Sequence, residues 1–397
     1  SAPKSVSVAA LVYENQDVLT AHKAAVSATM KYAENNCIFY QTKQRGQKLL
    51  LLSKTAQIAV FHHDDNRNKD PQLHSHCVIL NQTVCPDGKW RAVANQELYK
   101  QQKTIGAYYD HELARQLQQL GYQVEWTSDH TLELAGVDKE RLDAVFSTRS
   151  NQIEAELSSR GLTRATATAE QKQAICLKTR QEKKRTLHPQ DRQKQLLEWQ
   201  QKARENGIEP NFPTKYHRDF VKQTPNNQNP ARSIKELISN ATFILTERST
   251  AFLPHELLRE CLRQSQGRYE PEKIQNQIAL YQEFIQTRDG RLTTTETLNR
   301  EQKIVQLALS GRNSQIPLSN HSQAKAMPSA SFAIAQSRSL NQGQSTALKQ
   351  MVTSRDTVVL IQGNAGVLKD TAPHTGKTYT MKALAQTVGD RQPIRGL

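Results

Sequence analysis

Acidic residues are scarce in this chain of 397. Only 38 Asp and Glu stand against 53 Lys and Arg, a formal net charge of +15. No acid at all occurs between Glu301 and Asp356. So basic a chain is no ordinary metabolic enzyme, and it points to a polyanion, nucleic acid first. Aromatics are few at 6%, which argues against an aromatic-rich RNA-stacking surface. No apolar run approaches ~18 residues, so a membrane-spanning helix is excluded, and no signal peptide is visible. The five cysteines (Cys37, Cys77, Cys85, Cys176, Cys261) are odd in number and scattered, with no CxxC. That excludes a disulfide framework and a cysteine zinc finger, and fits a reducing cytoplasm. An initiating Met is also missing. The chain opens at Ser1 on strand-like sequence, Ser5 to Val12, and stops at Leu397 inside an unfinished fold. It reads as a fragment of a longer protein.

What is present divides into parts. Residues 1–224 mix strand and helix signals. Asp17 is expected to cap a helix running from Val18 to about Glu34. Ile58 to Phe61 and Leu73 to Leu80 read as strands, and Pro86-Asp87-Gly88 as a turn. Ile105 to Leu120 reads as a helix, and Tyr122–Trp126 with Leu132–Leu134 as a hairpin. From Arg160 to Glu205 the chain is helical and basic. A Pro- and Asn-rich linker covers 225–232. Residues 233–311 form a small unit that begins with capping-box spacing at Ser233 and Glu236. Its order of helix, helix and hairpin is that of a winged-helix module. Residues 312–340 read as a flexible basic linker. From 341 on come a helix, an apolar strand at Thr357–Ile361 and a glycine loop.

The histidines carry the strongest chemical signal. His74 and His76 sit at i and i+2 on a predicted strand, so both imidazoles leave one face. His63 ends the preceding strand, and the turn-like Asn66 to Pro71 brings it back beside them. Three imidazoles on one sheet face make a metal site with open positions, able to polarise a substrate oxygen or phosphate. The chemistry allows Zn, Mn, Ni or Fe, and Mg with less comfort.

The run His63 … Asp70-Pro71-Gln72-Leu73-His74-Ser75-His76 resembles the three-histidine signature of TrwC/TraI-type (MobF) conjugative relaxases. Ser1-Ala2-Pro3-Lys4-Ser5-Val6-Ser7 looks like a second signature of that family. The likeness continues through Tyr109 to Tyr122, and through Arg291-Leu292-Thr293-Thr294 and Glu301. The resemblance implies His63, His74 and His76 as ligands of a divalent metal (Mg, Mn or Zn). It implies an α+β fold in which an antiparallel sheet carries the histidines. It also implies a bacterial cytoplasmic enzyme that nicks one strand at an origin of transfer by tyrosine attack, fused to an ATP-driven helicase. The expected partners are single-stranded or hairpin origin DNA and other relaxosome and conjugation proteins. In the family the nucleophilic tyrosines precede the Ser-Ala-Pro-Lys-Ser motif, where this chain begins. The chain is therefore expected to hold metal and DNA but not to nick. Tyr108 and Tyr109, downstream of the histidines, read as packing or surface residues.

Gly363-Asn364-Ala365-Gly366 and Thr375-Gly376-Lys377-Thr378 would join into a phosphate-cradling P-loop, with Lys377 on the β/γ-phosphates and Thr378 on Mg²⁺. Eight residues, Val367 to His374, interrupt it, so ATP and Mg belong to an intact helicase half only. Gln344 resembles the adenine-recognising glutamine of superfamily 1 helicases, and the strand and helix flanking the loop read as the start of a RecA-like domain. Among the basic residues, Lys178, Arg180, Lys183 and Lys184 read as a phosphate-tracking surface, and Lys4 as a further phosphate contact. Two rival readings remain open. One is a non-catalytic DNA-binding module. The other is a three-histidine metallohydrolase with Asp64, Asp65 or Asp70 as base, although aspartates in turns are usually caps or solvated groups.

Overall fold

The computed structural model describes residues 1–127, 130–179, 189–208, 233–318 and 342–362, with 380, 381 and 384. Within them the helices are α1 (Lys4–Leu11), α2 (Gln16–Cys37), α3 (Asn95–Lys100), α4 (Gln102–Gln119), α5 (Lys139–Phe146), α6 (Thr148–Ser158), α7 (Ala169–Lys178), α8 (Pro189–Glu205), α9 (Ile234–Thr246), α10 (Pro254–Ser265), α11 (Pro271–Ala279), α12 (Thr295–Ser310) and α13 (Gln342–Thr353). The strands pair only as antiparallel hairpins. These are β1 (Phe39–Gln44) with β2 (Gln47–Leu52), β3 (Ile58–Asp65) with β4 (Pro71–Ile79), β5 (Thr83–Val84) with β6 (Trp90–Arg91), β7 (Val124–Trp126) with β8 (Leu132–Leu134), and β9 (Phe284–Gln286) with β10 (Leu292–Thr294). The fold is α+β, as expected. The expected wider sheet is not seen among the described residues. β3 and β4 form a two-stranded ribbon, and α1 packs against β4.

The opening segment corrects the strand reading. Ser5 to Leu11 is helical and every one of those residues is buried. The alternation of Ser and Val suggested a two-residue period, but each serine hydroxyl is satisfied inside the core. Ser5 Oγ donates to Glu133 and accepts from the Leu134 N–H at 2.9 Å; Ser7 Oγ donates to the Pro3 carbonyl and accepts from the Leu73 N–H at 3.1 Å. With both hydroxyls paired, burial of Val6, Val8, Ala9 and Val12 drives the packing. The Glu133 carboxylate also takes the Ser5 N–H, placing negative charge at the positive end of α1.

Asn15, not Asp17, caps α2. Its side chain accepts from the Asp17 and Val18 N–H groups, so the helix starts two residues earlier than read. The Ser233/Glu236 capping box forms as its spacing indicated. All five cysteines are free. No helix among the described residues is long and apolar enough to cross a membrane.

The described chain divides into two compact units, Ser1–Thr293 and Thr294–Leu397. In the first, α10 packs on α4, which in turn packs on α2. Fully buried His111 on α4 is held between the Tyr269 carbonyl at 2.8 Å and the Gly267 N–H at 3.2 Å. In the second, α12 and α13 are the principal elements. The stretch Thr357–Ile361 is not a strand. It has no partner strand among the described residues, and Leu360 is 87% exposed. The first linker, residues 319–340 of the second and most of Tyr379–Gln386 lie outside the described residues.

Gly267 occupies the left-handed region at φ +83°. A Cβ there would lie 2.8 Å from the Arg115 backbone nitrogen and 2.9 Å from Ala114 Cβ. Gly267→Ala combines strain with a clash against helix backbone. It is expected to cost about 2–4 kcal/mol, read as a lower urea midpoint at unchanged m-value. Wild-type stability would refute the close approach of this turn to α4.

Candidate metal centre

The β3–β4 register pairs His63 with His74, Phe61 with His76 and His62 with Ser75. Directly paired residues share a face, and successive residues alternate. His63, His74, His76 and Phe61 therefore occupy one face, while His62, Leu73, Ser75 and Cys77 occupy the other. The three rings of the first face lie close together. Their centroids are 5.2 Å (His63–His74), 4.8 Å (His63–His76) and 5.1 Å (His74–His76) apart. His63 and His74 are half-buried and His76 is exposed.

The fit of these rings to a metal can be tested on this geometry. A metal–nitrogen bond of about 2.0–2.1 Å places a ring centroid roughly 3.2 Å from the ion, so neighbouring ligand rings stand roughly 4.5–5.3 Å apart. All three separations fall in that range. His74 Nδ1 lies 2.8 Å from the Gln72 carbonyl, which selects the tautomer that leaves Nε2 free to ligate. The set is not closed onto a point: among the described residues, no group of three or more His, Cys, Asp or Glu side chains meets the geometry of a formed metal shell. The ring spacing and the freed nitrogen of His74 fit a metal.

The carboxylates nearby have other work. Asp64 pairs with Arg192, and Asp65 accepts from Gln195 Nε2 at 3.0 Å. Asp70 is buried. Its oxygens accept from the Thr148 hydroxyl at 2.6 Å, the Thr148 N–H at 3.0 Å and Asn66 Nδ2 at 3.1 Å, which ties the hairpin turn to the N-terminus of α6. On α8, the Trp199 indole donates to the Lys69 carbonyl at 2.7 Å. None of these acids is left as the free base that a metallohydrolase requires.

Lys4 points inward. Its Nζ donates to the Pro71 carbonyl at 3.1 Å and the Phe146 carbonyl at 2.8 Å, and burial lowers its pKa. It braces the turn and does not present its charge to a phosphate, contrary to the expectation from sequence. Lys178 stands at the end of α7, exposed, 2.9 Å from Glu156, which also pairs with Arg160 at 2.6 Å. Arg180, Lys183 and Lys184 lie outside the described residues. So do Gly363, Gly366, Gly376, Lys377 and Thr378. Gln344 lies half-buried on α13 in the second unit.

Sequence reasoning missed the network behind the ribbon. Buried His22 on α2 is hydrogen-bonded through Nδ1 to the Tyr109 hydroxyl at 2.8 Å and through Nε2 to Ser75 Oγ at 2.9 Å. Ser75 Oγ in turn lies 2.8 Å from His62 Nδ1. A lone histidine in an amphipathic helix gives no signal of this. Burial pushes the His22 pKa down to about 3, helped by the amino group of Ser1, then by His62 and His74 on the ribbon and Lys23 on its own helix. Burial also raises the Tyr109 phenol, and does the same to Tyr108, whose hydroxyl donates to Glu272. Both tyrosines are packing residues, as read from sequence.

A family model described as TrwC relaxase matches residues 1–206. The multifunctional conjugation protein TraI of Escherichia coli is 27% identical over 276 residues, which is 65% of this chain and 15% of TraI; TraI of strain K12 gives the same figures. The chain thus spans about 15% of the length of these curated relatives. A solved conjugative relaxase TrwC in complex with oriT DNA, metal-bound, is 39% identical with a TM-score of 0.49, covering 53% of this chain and 71% of that one. A copper-bound TrwC–oriT complex has the same identity and TM-score and is covered to 70%.

Two outcomes follow from the side chains around the ribbon. Asp70→Ala leaves buried donors unpaired and is expected to lower stability by about 2–3 kcal/mol in denaturant titration; a loss under 0.5 kcal/mol would refute the clamp. The folded-state pKa of His22 lies below its unfolded value, so the unfolded chain takes up a proton first on acidification. The neutral-ring contribution is complete above about pH 6.5 and is lost as pH falls toward 3. His22→Gln should flatten that part of the stability–pH curve, and an unchanged slope would contradict the assignment.

Proposed function

The chain belongs to the TrwC relaxase family, and from that premise we propose that it supplies the metal- and DNA-holding part of a DNA-nicking transesterase acting at a plasmid origin of transfer. The observation that carries this reading is the trio of His63, His74 and His76 on one ribbon face, with His74 Nε2 freed by the Gln72 carbonyl.

In this reading the three imidazoles hold one divalent cation, Mg, Mn or Zn, which when bound supplies positive charge to polarise the scissile phosphate. The ribbon's task is to keep the three nitrogens convergent. The Asp70–Thr148 contacts, Lys4 and Trp199 fix its turn, and the His22–Ser75 bond fixes its back face. The partner is origin DNA, drawn by the net charge of +15. Lys178, with Arg180, Lys183 and Lys184 beyond it in sequence, is assigned to phosphate contact, and other relaxosome and conjugation proteins are further partners.

We assign domains as the sequence suggested: relaxase domain to residue 224, winged-helix-like unit over 233–311, and the start of a RecA-like helicase domain from 341. The order α10, α11, β9, β10 supports the second of these. Nucleotide contact by Gln344 and the interrupted loop from Gly363 to Thr378 belongs to an intact helicase half.

Metal titration tests the centre. The purified chain is expected to bind one equivalent of Mn²⁺ or Zn²⁺ by calorimetry, with His74→Ala weakening binding at least tenfold while the far-UV spectrum is unchanged. Equal affinity in both proteins would sink the three-histidine assignment. Substoichiometric metal beside intact DNA binding would favour the non-catalytic DNA-binding module.

A further inference from the structure

Away from the histidines, a cavity of about 590 Å³ opens between α2, the start of α4 and the α10–β10 segment, all within the first unit. Its size is that of a small-ligand site. The wall carries an aromatic pair. Tyr281 and Phe284 have ring centroids 4.8 Å apart, and Phe252 backs Phe284 edge-on at 6.0 Å. It also carries unengaged polar groups. The His255 ring and the carboxamides of Gln275 and Gln286 make no hydrogen bond with any described residue. Burial lowers the His255 pKa, so the ring is neutral near pH 7, with one nitrogen as donor and one as acceptor. Asp, Glu, Lys and Arg are all absent from the lining, although Glu256, Arg259, Glu97 and Lys100 stand close enough to act on His255, with opposing signs.

These features select a ligand by elimination. A phosphate would find no cation in the wall. A purely apolar ligand would leave three polar groups facing it without partners, at a cost. A flat, uncharged heterocycle satisfies both kinds of surface, because its faces stack on the aromatics and its rim meets amides and imidazole. Nucleobases are recognised in this way when they are unpaired.

We propose that this cleft binds an unpaired base of single-stranded DNA, stacked against Tyr281 and Phe284, with Gln275, Gln286 and His255 at its edge. The inference rests on the DNA-binding reading above but uses none of the ribbon residues. It adds a second grip on the strand, one that engages the base and leaves the phosphate backbone outside.

The test uses the whole chain and a 12-mer single strand carrying 5-iodouracil. Ultraviolet cross-linking followed by mass spectrometry is expected to place adducts on Tyr281, Phe284 or His255. In fluorescence anisotropy, Tyr281→Leu should raise Kd roughly 5- to 100-fold. The double variant Gln275→Ala, Gln286→Ala, whose side chains lie outside the core, should also weaken binding. Because no phosphate contact is lost, the slope of log Kd against log salt should not change in either variant. Excess ATP should not displace the strand, and displacement by ATP would overturn the assignment to DNA. Normal 12-mer affinity in the double variant, with adducts confined to other segments, would overturn the cleft and leave the DNA-binding reading standing. A chain that binds metal yet no 12-mer would overturn both.

Discussion

The Lys69 carbonyl accepts from the Trp199 indole and from the Gln195 amide, two residues that lie a long way down the chain on α8. Lys69 itself sits at φ +67°, a conformation that a residue with a Cβ adopts only when its surroundings hold it there. The rest of the turn is held in the same manner. Asp70 bonds to the start of α6, Lys4 to the Pro71 carbonyl, and Asn66 Oδ1 accepts from the Asn68 and Asp70 N–H groups. Turn backbone groups withdrawn from water are costly unless paired. Three helices supply those pairs, and in doing so they fix where β3 ends and β4 begins.

The two faces of that ribbon follow different physical rules. The back face meets α2 and α4 through a hydrogen-bonded chain running from Tyr109 through His22 and Ser75 to His62. Its low dielectric keeps His22 neutral. The front face carries three histidines and Phe61, which is 55% exposed. Rigidity is thus built behind the site, and access is left in front. A cation held by side chains needs this division, since ligands must not wander while substrate must still reach them.

The histidine centre was legible because it depends on local geometry alone. A two-residue period and a short turn suffice to gather His63, His74 and His76, and no distant contact is needed. The α4 helix, the β7–β8 hairpin and the Ser233 box were legible for the same reason. Apart from the cap of α2, which passed locally from Asp17 to Asn15, the misreadings involve long-range satisfaction. Ser5 and Ser7 looked like the polar side of a strand until Glu133, Leu134 and Leu73 were found to pair with them. Lys4 looked like a phosphate ligand because its carbonyl partners, Pro71 and Phe146, come from distant segments. The apolar run at Val358 looked like a buried strand, yet burial requires a neighbour that the run itself does not specify. Buried His22 gave no hint, since its two hydrogen-bond partners, Tyr109 and Ser75, lie on different and distant elements.

The hydrogen bond from Trp199 to Lys69 spans 130 positions of sequence. During synthesis the ribbon can pair as soon as β4 emerges, but its turn stays unbraced until α8 has been made. At roughly 5–20 residues per second, that interval is about 6–26 s. Through it the half-built ribbon presents Val60, Phe61, Val78 and Leu80, all exposed even in the finished fold, along strand edges that have found no neighbour. The time for which the turn waits for its last brace is therefore set by how far downstream that one indole is encoded.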